Sequence, residues 1–80
     1  MVEVFKTNVQ EEQHAKLLIE EIHRSFVNYR ATFDLQDCDK ILRVECHNDF
    51  VQTSTIINIL LEYGYFAEVL QESFGKASDR

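Results

Sequence analysis

The chain has 80 residues, 45% of them hydrophobic and 28% charged, with a formal net charge of −6. This length leaves no room for a second module, and the composition is typical of a globular domain and unlike that of disordered or membrane proteins. The eight lysines and arginines form no stripe along the chain, which argues against nucleic acid as a partner because phosphates are bound by clustered positive charge.

The first predicted elements are a strand and an amphipathic helix. Alternating apolar residues predict the strand over residues 2–7. Thr7 and Asn8 are candidate helix N-caps, each with a capping-box partner three residues later. Apolar side chains then recur at spacings of three and four, which predicts a helix with one buried face: Ala15, Leu18, Ile19, Ile22 and Phe26.

A β-hairpin is predicted next. From Tyr29 to Leu35 apolar and polar residues alternate, as they do in a half-buried strand. Residues 37–40 (DCDK) are polar enough to form the turn. Apolar and polar residues alternate again from Leu42 to Cys46, which predicts the returning strand.

A second helix and a short last strand complete the predicted fold. Residues 53–55 (TST) are good capping residues, apolar residues at helical spacing follow, and Gly64 stands where a helix C-terminus favours glycine. Residues 65–70 form the last predicted strand. Residues 71–80 are predicted to be a polar tail that frays.

The predicted order β-α-β-β-α-β makes residues 1–70 a single α+β domain. Its expected architecture is the ferredoxin-like sandwich, a four-stranded antiparallel sheet with two helices on one face. That topology carries no function by itself, because many unrelated activities use it.

Two segments carry a resemblance to a known family. Residues 7–9 (TNV) precede the first helix, and Gly64 is followed by an aromatic residue in the segment GYFAEV. Over about residues 2–70 the chain resembles the heavy-metal-associated domain of copper chaperones and of the amino-terminal regions of metal-pumping ATPases. In that family the motif C-x-x-C follows the first of these segments, and apolar residues stand one and four positions after its second cysteine. With Glu11 and His14 in the cysteine positions, Ala15 and Leu18 meet this spacing.

The chain departs from that family at the metal site. The resemblance implies a Cu(I) or Zn(II) site built from two thiolates, because soft sulfur ligands suit monovalent copper. No cysteine stands between residues 7 and 14. A carboxylate and an imidazole cannot replace two thiolates for Cu(I), so we do not expect copper transfer by thiol exchange.

Glu11 and His14 allow two interpretations. At i and i+3 they share one side of a helical turn, a spacing found among carboxylate and imidazole ligands, so they are a candidate divalent site for Zn(II), Cu(II) or Ni(II), to which Glu12 could add an oxygen. The turn at residues 37–39 should lie at the same end of the sheet but too far away to complete the site. Alternatively, the acids stabilise the helix dipole and His14 is a partly exposed helix residue. We expect no other cofactor, and we expect His23 and His47 to be surface residues.

Two enzyme or ligand classes known on this topology are excluded by their motifs. An acylphosphatase would need a glycine-rich loop with an arginine after the first strand, which is missing. An RNA-binding sheet would carry stacking aromatics on the third strand, where Arg43, Glu45 and His47 stand. We therefore predict a non-catalytic domain.

The predicted function is a protein-interaction or oligomerisation module. The outer strands, residues 29–36 and 65–70, can pair edge to edge with a protein partner or with a second copy in a homodimer. Tyr65 and Phe66 are the expected contact residues.

Location is predicted from what the sequence lacks. No apolar stretch approaches the roughly 20 residues of a membrane span, and the first ten residues lack the features of a secretory signal. Cys38, in the predicted turn, and Cys46, at the far end of a strand, are too distant to pair, so two free thiols are expected. A cytoplasmic protein without membrane contact is the expectation.

Overall fold

The computed structural model describes residues 1–36, 38–47 and 50–70, in which the elements follow the predicted order. They are β1 (Val2–Thr7), α1 (Glu12–Ser25), β2 (Tyr29–Asp34), β3 (Ile41–Cys46), α2 (Thr53–Glu62) and β4 (Ala67–Val69). The strands form one antiparallel sheet in the order β2-β3-β1-β4. The prediction of an α+β, ferredoxin-like fold is confirmed.

The core lies between the sheet and the two helices. On β1 the fully buried Phe5 stands opposite Leu42 of β3 and Val69 of β4. Each helix turns its apolar stripe toward these strands, and the side chains it buries most completely are Leu18 and Ile22 of α1 and Ile56 and Leu60 of α2. Burial alternates in β2 and β3 as the sequence predicts. On β1 the buried side chains are Phe5 and Thr7, whereas Val2, which begins the predicted alternation, is 47% exposed.

The predicted caps of α1 have other roles. The helix begins at Glu12, and its N-cap Glu11 makes no side-chain capping bond. Thr7 Oγ1 instead donates to the carbonyl of Lys40 at 2.6 Å and accepts from the N–H of Val9 at 3.2 Å. The capping-box prediction was wrong, because the helix begins four residues after Asn8, and Asn8 Oδ1 instead accepts the N–H of Phe66 at 2.8 Å.

The prediction of a glycine at the end of α2 matches the structure. Gly64 has φ +89°, and its N–H donates to the carbonyl of Leu61 at 2.9 Å. The N–H of Tyr65 donates to the carbonyl of Leu60 at 2.9 Å. This pair of bonds is the Schellman motif, which ends a helix on a left-handed residue and so determines where the next residue lies.

β4 is shorter than the predicted strand over residues 65–70. The N–H of Tyr65 is held by the end of α2, and the N–H of Phe66 donates to Asn8 Oδ1 at 2.8 Å. The strand ladder therefore starts only at Ala67. The predicted fraying tail, residues 71–80, lies outside the described residues.

Two further predictions can be compared with the described residues. Cys38 is exposed, Cys46 is buried, and both are free thiols, as expected. Among the helices of the described ranges, none is long and apolar enough to cross a membrane.

Candidate functional site

Glu11 and His14, the predicted metal residues, lie at the start of α1. Their side chains are 70% and 45% exposed, and Glu11 Oε1 is 4.0 Å from His14 Nε2. The other ring nitrogen, His14 Nδ1, shares a hydrogen bond with the hydroxyl of Tyr65. Each nitrogen of the imidazole therefore faces a different polar neighbour.

Tyr65 reaches His14 from the opposite end of the sequence. The two residues are 51 positions apart, and their rings are tilted at 50° with centroids 5.8 Å apart. The Schellman motif at the end of α2 places Tyr65 there. Sequence reasoning assigned His14 to a metal site and Tyr65 to an interaction site, and the structure brings them together in one place.

Exposed apolar side chains surround this pair. A cleft of about 240 Å³ is lined by His14, Leu17, Leu18, Tyr63 and Tyr65. Leu17 is 50% exposed and Tyr63 is 45% exposed. The hydroxyl of Tyr63 lies 3.4 Å from Glu21 Oε1 on α1, which links the two helices at this side. We call the following residues the rim surface: His14, Leu17, Tyr63, Tyr65 and Phe66.

Phe66 is the most exposed aromatic residue of the rim surface. Its side chain is 67% exposed, although its backbone N–H is bonded to the side chain of Asn8. A large apolar ring is thus presented to solvent from a main chain that is held in place.

Few ligands for a metal gather near Glu11 and His14. Within residues 1–36, 38–47 and 50–70, no group of three or more His, Cys, Asp or Glu side chains is placed to hold a metal ion. Glu12 therefore does not complete such a group, and Asp37 lies outside the described residues. Zinc sites in proteins normally use three or four protein ligands, so the pair by itself can offer only a partial coordination shell.

His23 has a structural role that sequence reasoning missed. Its Nε2 accepts the backbone N–H of Ala31 at 3.1 Å, which covers part of the outer edge of β2. Helical periodicity places His23 on the polar face of α1 and contains no signal for a partner on the next strand.

Comparison with known proteins does not assign the chain to a family. No protein-family model, no curated protein and no solved structure matches the chain. The resemblance to heavy-metal-associated domains therefore depends on the residues quoted above. What the domain does has to be inferred from its own surfaces.

Proposed function

We propose that this chain is a heavy-metal-associated-like domain without the thiolate site that acts in the cytoplasm as a non-catalytic protein-interaction domain. The rim surface is its proposed contact region. One observation carries this proposal. Leu17 and Tyr63, which lie beside the cleft, and Phe66, which follows Tyr65, are each at least 45% exposed. Aromatic side chains are enriched at protein interfaces, where they contribute much of the binding energy.

The rim surface is organised before any partner arrives. Tyr65 is held by its hydrogen bond to His14 and by the cap of α2, and Phe66 is held by Asn8. Ordering of loops and side chains is a large cost of association. A surface that is already ordered avoids part of that cost, which supports a role in binding.

Charge favours a basic partner over a second copy. The exposed carboxylate of Glu11 lies beside the rim surface, whereas that of Glu21 is paired with Arg24 at 2.8 Å, and the whole chain carries −6. Two copies repel each other, whereas a basic protein is attracted. We therefore propose a basic protein as the partner, and a homodimer is the competing outcome.

Phe66→Glu is expected to abolish binding of this partner. A charged side chain at the most exposed aromatic position of the rim surface leaves a carboxylate in the interface of an acidic domain. The matched control is Val27→Glu, because Val27 is 86% exposed and lies outside the rim surface. The measurement is quantitative capture from an extract of the source cells, followed by determination of Kd with the purified partner.

The expected result is that the wild type and Val27→Glu both retain a basic protein. The affinity of Phe66→Glu for that protein should be lower by at least about tenfold. Equal capture by all three chains would contradict the proposal. So would a dimer mass in light scattering that falls to the monomer mass with Phe66→Glu, because a second copy would then occupy the surface.

A divalent metal is the second candidate ligand. The 4.0 Å approach of Glu11 Oε1 to His14 Nε2 favours it, since both side chains are exposed and could bind one ion together with water. This function predicts heat on titration of Zn(II), Cu(II) or Ni(II) into the wild type and none with His14→Ala. Affinity should also fall at acid pH, because an imidazole must be deprotonated to bind a metal. Flat calorimetric traces from both proteins would remove this candidate.

A further inference from the structure

The outer edge of β2 is closed at one end and open at the other. The N–H of Tyr29 donates to the carbonyl of Phe26 at 3.2 Å, and the N–H of Ala31 donates to His23 Nε2 at 3.1 Å. Outward groups alternate along an edge strand, so the N–H and C=O of Phe33 also point away from β3. In the part of the chain that the structure describes, neither group of Phe33 has a hydrogen-bond partner.

A cleft lies beside this open end. It has a volume of about 490 Å³ and separates the first half of α1 from the end of β2. Its apolar lining comes from Ala15 and Ile19 of α1 and from Phe33 and Leu35. This volume falls within the range of about 300–1,000 Å³ that is usual for ligand pockets. The rest of the lining is polar and includes Glu12, Lys16 and Asp34. Apolar and charged side chains next to unpaired backbone groups suit a polypeptide, which has both kinds of side chain and a main chain that donates and accepts.

We propose that this cleft binds an extended segment of another protein, which adds to β2 as a fifth, antiparallel strand. The segment has the pattern apolar–basic–apolar. This site is separate from the rim surface, and the proposal does not depend on the function proposed for that surface.

The register of such a strand determines the pattern. In an antiparallel pair, the residue opposite Phe33 exchanges both hydrogen bonds with it and places its side chain on the same face, over the cleft. The residue two positions along faces the side chain of Leu35 in the turn after β2, but it gains no bond from the Leu35 carbonyl, which already accepts from Lys40 Nζ at 3.0 Å. The residue between them faces the exposed Asp34, whose Oδ1 accepts the N–H of Gln36 at 3.2 Å and is thereby oriented. A lysine or arginine there forms a cross-strand pair of opposite charge.

A second copy of the chain does not meet these requirements. Residues 29–31 (YRA) have the right pattern, and in that register Arg30 would stand opposite Asp34. The pairing would need the N–H of Ala31 to reach Phe33 of the other copy. That N–H is already bonded to His23, so the occupant is a different protein segment.

The test uses a fluorescent peptide in which isoleucine alternates with lysine between terminal serines, and a matched peptide with glutamate in place of lysine. The wild type should bind the lysine peptide about three- to tenfold more tightly in anisotropy titrations, as expected when an attractive exposed pair replaces a repulsive one. Asp34→Lys should reverse this preference. Glu20→Lys makes the same change of charge at an exposed position of α1 outside the cleft and the rim surface, and it should leave the preference unchanged. Hydrogen exchange of the Phe33 amide should slow when the lysine peptide binds.

Three results would overturn the proposal. The first is equal binding of both peptides by the wild type and by Asp34→Lys. The second is peptide-induced NMR shifts at Tyr65 and Phe66 without protection of the Phe33 amide, since the peptide would then occupy the rim surface. The third is a dimer of the wild type that the Asp34→Lys substitution dissociates, because a second copy would then occupy the edge of β2.

Discussion

Phe5→Ala is expected to lower the free energy of unfolding by about 3–5 kcal/mol. Phe5 is fully buried in β1, which pairs with both β3 and β4, so its ring fills the centre of the core. Removing the ring loses its transfer free energy and leaves a cavity that the surrounding side chains fill only in part. Small domains are stable by only about 5–15 kcal/mol, so this change should leave the chain close to unfolding at room temperature.

Urea denaturation followed by circular dichroism measures this change. The matched control is Phe66→Ala, because that ring is 67% exposed and its loss should change the free energy of unfolding by no more than about 0.5 kcal/mol. A Phe5→Ala midpoint equal to that of Phe66→Ala would mean that the core is not organised around β1.

Tyr29→Phe is expected to destabilise the domain by about 1–3 kcal/mol, although it removes one oxygen. The hydroxyl of Tyr29 accepts the N–H of Gln52 at 2.8 Å and donates to the carbonyl of Phe50 at 3.2 Å. It thereby ties the start of α2 to β2. Without it, the part-buried N–H of Gln52 loses its acceptor, and an unsatisfied donor costs more than the bond itself contributes.

Because this substitution preserves the aromatic stacking, it measures the contribution of the hydroxyl group. Phenylalanine at position 29 keeps the ring on Phe26, where the centroids are 4.3 Å apart and the planes differ by 13°. Tyr63→Phe is the control, because its hydroxyl makes a long, exposed contact and its loss should cost no more than about 0.5 kcal/mol. Thermal denaturation of the three proteins at one concentration makes the comparison. Equal losses for both variants would contradict the role assigned to the Tyr29 hydroxyl.

The element order could be predicted because its signals are local. Alternation predicts β1 over residues 2–7, and the structure places it at Val2–Thr7. The glycine after the second apolar helix predicts the cap of α2, and Gly64 adopts the left-handed φ that such a cap requires. Both depend on side chains a few positions apart, which a single sequence displays directly.

The candidate sites could be predicted only in pieces. Glu11 and His14 are visible as an i, i+3 pair, and Tyr65 and Phe66 are visible as aromatics on an outer strand. Nothing in the sequence indicates that Tyr65 bonds to His14. Which N–H groups at the edge of β2 are left open depends on whether side chains of α1 reach them. That is determined by how α1 packs on the sheet.

By itself the sequence determined the α+β class, the order of strands and helices and the lack of paired cysteines at the start of α1. Periodicity, caps and composition contain these properties, because each arises from neighbours along the chain. Only the tertiary structure decided that Thr7 bonds across to Lys40, that His23 covers Ala31, and that a cleft opens beside Phe33. The physical reason is that a hydrogen bond or a cleft between distant segments depends on how the helices pack on the sheet, which no local pattern records.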